Sequence, residues 1–185
     1  FVVGCDESAE ERYLMCLDRD TGKQRWKRVV IQSPLESKHR LNSYASSTPA
    51  TDGKHVFVSF LKVDGRLVPA PNVGSPRDIT PGTMVIACYD YDGKLQWRKN
   101  VGGFLSAHGY CSNPVLFKDL VIVNGDHDGD SYIVALRKSD GEVVWKSERK
   151  HKTRSYCTPL IRRHQNHFQM VLSGSQHIMS MNPET

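Results

Sequence analysis

The sequence predicts an all-β chain, a β-propeller of four-stranded antiparallel blades, and three observations predict it. A cassette recurs in which an alternating strand meets a polar turn with glycine and then a second strand closed by tryptophan. It reads C-L-D-R-D-T-G-K-Q-R-W from Cys16, A-C-Y-D-Y-D-G-K-L-Q-W from Ala87 and A-L-R-K-S-D-G-E-V-V-W from Ala135. All three tryptophans, Trp26, Trp97 and Trp145, close a copy of it. A polar-proline step, Thr48-Pro49, Asn113-Pro114 and Thr158-Pro159, recurs alongside. Four short strands per unit of about 40–50 residues are what propeller blades require.

In chain order, residues 1–4 read as a strand, followed by an acidic loop over 6–12. Strands at 13–18 and 24–30 flank the Thr21-Gly22 turn, and a long connection, 31–44, carries Pro34, Lys38, His39 and Arg40. Residues 47–50 and 55–60 form a hairpin about Asp52-Gly53, a strong two-residue turn signal. Residues 61–83 hold four prolines and interrupt the pattern as an insertion. Strands resume at 84–90 and 95–101, then at 110–117, 120–124, 132–136 and 143–148, with a loop at 125–130. The last unit runs through 156–159, 168–173 and 178–181. No helical period is present.

The expected organisation is a blade end over 1–30, a second blade over 45–101 with its insertion at 61–83, a third over 110–148 and the start of a fourth over 156–185. A further cassette begins at Ser180, so the chain is expected to be a piece of a longer protein. It would cover about three and a half blades of a seven- or eight-bladed ring.

The net charge of +5 favours solubility and weak attraction to acidic surfaces, and does not indicate nucleic-acid binding. No apolar run approaches the roughly 18 residues of a membrane span. Five cysteines, Cys5, Cys16, Cys88, Cys111 and Cys157, show no Cys-x-x-Cys spacing. They sit in or beside apolar strands, where cysteine behaves as a small hydrophobe.

The cassette resembles the repeat of PQQ-like, quinoprotein alcohol dehydrogenase-like propellers, A-x-D-x-x-T-G-x-x-x-W. Its first copy matches with Cys16 for alanine, its second is one residue shorter between Asp90 and Gly93, and its third has Arg137 for aspartate and Asp140 for threonine. The wording S-S-T-P-A-T-D-G, C-S-N-P-V-L and V-N-G-D-H-D-G-D is most similar to BamB-like propeller-repeat proteins of planctomycete-type bacteria. That resemblance implies a periplasmic, cell-envelope or secreted location. It also covers both dehydrogenases that use pyrroloquinoline quinone (PQQ) and Ca²⁺ and catalytically silent propellers.

Repetition assigns Asp18, Gly22, Trp26, Asp90, Gly93, Trp97, Gly141 and Trp145 to architecture, the tryptophans docking on the neighbouring blade. Propeller geometry places the terse turns on one face and the long connections on the other. His39, Arg40, His108, Asp126, His127, Asp128, Asp130, His151 and Arg154 then share the elaborated face, where functional residues concentrate. Asp126, Asp128 and Asp130 alternate as hard-cation ligands do, yet lack the bidentate glutamate of a calcium loop. The competing reading is a turn whose carboxylates cap backbone amides.

His108, His127 and His151 are a transition-metal or acid/base set if their loops converge, and otherwise solvent-facing loop histidines. Residues 146–154 are basic, suited to an anion or simply solvated. No catalytic residue is assigned, and no adjacent cysteine pair or quinone ligand is found to carry over. The function expected is a non-catalytic scaffold that binds protein or polysaccharide through the elaborated face. The alternatives are a PQQ- and Ca²⁺-dependent dehydrogenase and a propeller appended to a kinase or hydrolase.

Overall fold

A computed structural model describes residues 1–174 and 177–185. Among them are sixteen strands and no helix. β1 (Val2–Asp6), β2 (Glu11–Leu17) and β3 (Gln24–Gln32) form one antiparallel sheet in sequence order. Next come β4 (Ala50–Thr51), β5 (His55–Val63), the short ribbon β6 (Val68–Pro69) and β7 (Asp78–Ile79), β8 (Gly82–Asp90) and β9 (Leu95–Phe104). Of these, β4-β5-β8-β9 form a four-stranded blade, with the ribbon inserted between its second and third strands. β10 (Val115–Phe117), β11 (Leu120–Gly125), β12 (Tyr132–Arg137) and β13 (Val143–Glu148) make the next blade, and β14 (Leu160–His164), β15 (His167–Ser173) and β16 (Ile178–Met181) a further sheet. The protein is a β-propeller, its sheets here numbered blades 1 to 4 in chain order.

Several boundaries differ from the sequence expectation. β5 continues to Val63 and β8 starts at Gly82, paired without a break, so the insertion shrinks to 64–81. Leu61 and Val63 explain the extension, because both are buried against the following blade. The strand expected over 110–117 is regular only from Val115, immediately after Pro114, which has no N–H to donate.

The core lies between blades. Val56, Val58 and Phe60 face blade 1 with Leu14 and Val30, whereas Phe57, Leu61 and Val63 face blade 3 with Val121, Val123 and Val134. The opposite face of blade 3, through Ile122 and Ile133, meets Met170 and Leu172 of blade 4. Successive side chains leave a strand on opposite faces, so a sandwiched middle strand is apolar on both. The middle strand β5 is buried without a break from Val56 to Leu61, Ser59 included. The outer strand β9 keeps exposed positions among its buried ones.

Each tryptophan crosses to the next blade. The indole N–H of Trp26 donates to Tyr91 O at 2.8 Å, that of Trp97 to Lys138 O at 2.7 Å and that of Trp145 to Pro183 O at 3.2 Å. The residue after tryptophan projects from the other face of its strand and ties backward. Arg98 donates to Val30 O at 2.8 Å, and Lys146 donates to Val101 O at 3.0 Å. Both acceptors stand four residues beyond the preceding blade's tryptophan. The polar-proline steps form a second tie: Thr48 N donates to Asn113 Oδ1 at 2.6 Å, and Asn113 Nδ2 to Thr158 Oγ1 at 2.7 Å. Beside it, Ser47 and Ser59 both donate to Ser112 O.

The cassette glycine serves two ends. Gly141 has φ +72°, and a Cβ there would lie 2.6 Å from the Trp97 ring. Gly22 has φ +68° with nothing within 4 Å. Gly22→Ala therefore incurs left-handed backbone strain of about 1–2 kcal/mol, and Gly141→Ala that strain plus displacement of the indole. Urea midpoints should rank Gly141→Ala as clearly the more destabilising. Equal losses would mean that Trp97 does not rest on this turn.

Candidate functional site

The connections joining second to third strands, and each blade to the next, lie together at one end of the sheets. Two of them, from blade 3, are zipped by charge. Arg149 Nε donates to Asp126 Oδ1 at 2.8 Å, with both side chains almost wholly buried. Arg154 Nη1 lies 2.8 Å from both oxygens of Asp128, which also accepts from Ala107 N at 3.2 Å. Lys152 reaches Asp130 at 2.6 Å in the open. The acidic triplet and the basic run thus answer one another, with pairing that grades from buried to solvated. The exposed Asp130–Lys152 pair still lowers the pKa of Asp130, chiefly through the lysine's hydrogen bond.

The blade 2 insertion completes this layer. Asn72 donates to Lys152 O at 2.9 Å and accepts at its carbonyl from Arg154 at 3.1 Å. Arg77 donates to Ala107 O at 3.2 Å, and Thr80 Oγ1 accepts from Ser37 N at 2.7 Å. The 33–49 connection is anchored from below by Arg12, which donates to Ser33 O, Pro34 O and the buried carboxylate of Glu36 at 2.6–2.8 Å. Burial raises the pKa of Glu36 and Arg12 opposes that shift.

His39 and His108 come together. The His108 carbonyl accepts from His39 N at 3.1 Å and Asn42 Nδ2 at 2.7 Å, and the two rings stand 5.7 Å apart. His108 stacks on Tyr156 at 6.0 Å. These residues, with Leu41, Asn42 and Cys111, line a depression of about 350 Å³. Leu41 is 81 % exposed beside it, and Arg40 is exposed next to Leu41.

The other histidines go elsewhere. His127 is buried between Phe104 and Tyr132, and exposed His151 stacks on His177 at 4.4 Å. His108, His127 and His151 thus each face a different partner. Sequence reasoning missed Leu41, Asn72, Arg77, Arg149 and Tyr156. The signal available for Arg149 was a basic run following an alternating acidic one within the same blade.

His127 Nδ1 accepts from Leu105 N at 3.2 Å and Gly129 N at 2.9 Å, which leaves the ring proton on Nε2. Burial lowers its pKa from the ordinary 6.5, opposed by the Asp130 backbone contact and the neighbouring carboxylates. Above pH 6.5 both folded and unfolded states hold this ring neutral, so its contribution is fully present. As the pH falls below that, the unfolded chain takes the proton first and stability declines until the folded ring titrates. His108, also lowered, chiefly by burial, adds the same sign. The wild type should lose stability below about pH 6.5, and His127→Gln should lose less over the same interval. Parallel curves in chemical denaturation would show that His127 is not the group responsible.

A Ca²⁺ ion needs several carboxylate oxygens turned to one point. Asp126, Asp128 and Asp130 instead turn to three different cations, and among the described residues no group of three His, Cys, Asp or Glu is placed to hold a metal. The residues of this loop do not fit the Ca²⁺ of a quinone-dependent dehydrogenase. The five cysteines are free. Cys88 alone is fully buried, its thiol pushed up to about 12, while the other four are half-buried rather than core residues.

A family model described as outer membrane protein assembly factor BamB, a PQQ-repeat family, matches residues 79–185, more than half of the chain. The chain belongs to that family. No curated protein matches it. The BamB-family span starts in β7 and takes in all of blade 3, so the ion-paired loops and two of the three tryptophans lie within it. The match agrees with the repeat residues and the all-β architecture together. No helix of the described chain is long and apolar enough to cross a membrane.

Proposed function

We propose that this protein is a non-catalytic propeller scaffold of the cell envelope that binds protein or polysaccharide through its elaborated face. One observation carries the reading: connections from blades 1, 2 and 3 are tied into one continuous layer whose surface exposes Leu41, Tyr156 and Arg40. A rigid platform with an aromatic and aliphatic centre and a cationic edge is what a binding surface needs. The repeat tryptophans, by contrast, are committed to holding blades together. Membership of the BamB family supports an envelope setting, since that factor's name places it in outer membrane protein assembly.

The test compares the two faces. Leu41→Asp, Arg40→Glu and Tyr156→Ala alter the elaborated face, and Lys54→Glu and Lys94→Glu alter the turn face. Binding to purified outer-membrane assembly proteins and to envelope polysaccharide should fall by more than about tenfold for the first set and change little for the second. Loss confined to the turn-face variants would overturn the assignment.

A further inference from the structure

Between the outer strands of blades 2 and 3, on the elaborated face, lies a cleft of about 750 Å³. His127 and Tyr132 form part of its wall, 4 % and 3 % exposed. The His127 Nε2 and the Tyr132 hydroxyl are buried without a hydrogen-bond partner among the described residues. Because Nδ1 already accepts two backbone N–H groups, Nε2 carries the proton, and among the described residues no acceptor meets it in hydrogen-bond geometry. Buried polar groups are ordinarily paired, so two orphans in one cleft mark a place where something else supplies the partner.

Charge at the cleft is uneven. Arg66 is exposed and has no ion-pair partner among the described residues. Lys146 spends one of its three donors on Val101 O and lies 3.7 Å over the Tyr132 ring. Glu148 is exposed on the same wall and has no ion-pair partner among the described residues.

The seam between blades 1 and 2 provides an internal control. Its cleft, about 510 Å³, has Val85 at the position of Tyr132, three residues before the partner of the blade's tryptophan, and no histidine. In blade 1, Tyr13 occupies that position with Lys27 4.0 Å over its ring, so the tyrosine–lysine pair is an option of the repeat. The buried histidine is not, since the corresponding loop of blade 1 carries Asp6 and Glu7.

We propose that this cleft binds a uronic-acid unit of an acidic polysaccharide. Such a unit presents one carboxylate among several hydroxyls. The carboxylate suits Arg66 and Lys146, and the hydroxyls suit the His127 Nε2–H and Tyr132 hydroxyl as partners and Glu148 as an acceptor. A peptide rich in carboxylates meets repulsion from Glu148, and a neutral sugar leaves both free cations unanswered. The site rests on the binding reading above and narrows it to one ligand chemistry.

Titration of the intact protein with digalacturonate, followed by calorimetry and by the NMR signals of the His127 imidazole, tests the proposal. Saturable binding that shifts the imidazole signals is expected. Arg66→Glu, a surface change that leaves the core intact, should weaken it at least about tenfold, as should replacing the ligand by neutral digalactose. No binding of digalacturonate, equal binding of digalactose, an unaffected Arg66→Glu variant, or tighter binding of a triglutamate peptide would each overturn it. Lys94→Glu, on the turn face, lies outside the cleft and should leave digalacturonate affinity unchanged. If digalacturonate fails while Leu41→Asp still abolishes partner binding, the cleft assignment alone falls.

Discussion

Replacing Arg149 with methionine is expected to lower stability by about 3–5 kcal/mol. The change removes the cation and leaves the Asp126 carboxylate, 4 % exposed in its side chain, without compensation. A buried ion pair gains little over a well-packed apolar substitute, yet breaking it from one side strands a charge in a medium that solvates it poorly. Asp126→Asn combined with Arg149→Met should therefore recover much of the loss. Lys152→Ala, at the exposed end of the same zipper, should leave the urea midpoint essentially unchanged. A midpoint for Arg149→Met equal to that of Lys152→Ala would refute the gradient of burial.

The second large effect belongs to Trp97→Ala, expected to cost about 3–5 kcal/mol. Trp97 is 7 % exposed, packs 6.0 Å from the Phe57 ring, donates to Lys138 O and lies against Gly141. Its removal opens a cavity at the seam between blades 2 and 3 and orphans a carbonyl. Trp26 is less enclosed at the corresponding position, so Trp26→Ala should cost less. A loss below about 1 kcal/mol for Trp97→Ala would remove the seam role.

The fold was legible because the repeat writes the same local chemistry several times: a glycine turn, a tryptophan and a polar-proline step. The 65- and 45-residue intervals between Thr48, Asn113 and Thr158 are the intervals of the hydrogen bonds that join them. What the repeat did not disclose was direction. That Trp97 reaches forward and Arg98 backward follows from the two-residue period of a strand, but only once it is known that both faces meet another blade.

The site was legible as a set of loops and not as a set of contacts. Asp126 to Asp130 suggested a cation, and the cations proved to be side chains 22 to 26 positions away. Pairing between two loops leaves no periodic trace, since loop lengths set which charge meets which. Leu41 and Tyr156 escaped notice for a related reason. A single apolar residue in a loop looks the same whether it is covered or bare.

The forward reach of the tryptophans also orders events in time. Trp26 finds its acceptor 65 residues later, Trp97 41 residues later and Trp145 38 residues later. On a ribosome, each blade emerges with its indole unsatisfied and waits for the third strand of the next. A blade is therefore finished by its successor rather than by itself, and nascent chains should acquire protease resistance in steps that lag one blade behind synthesis.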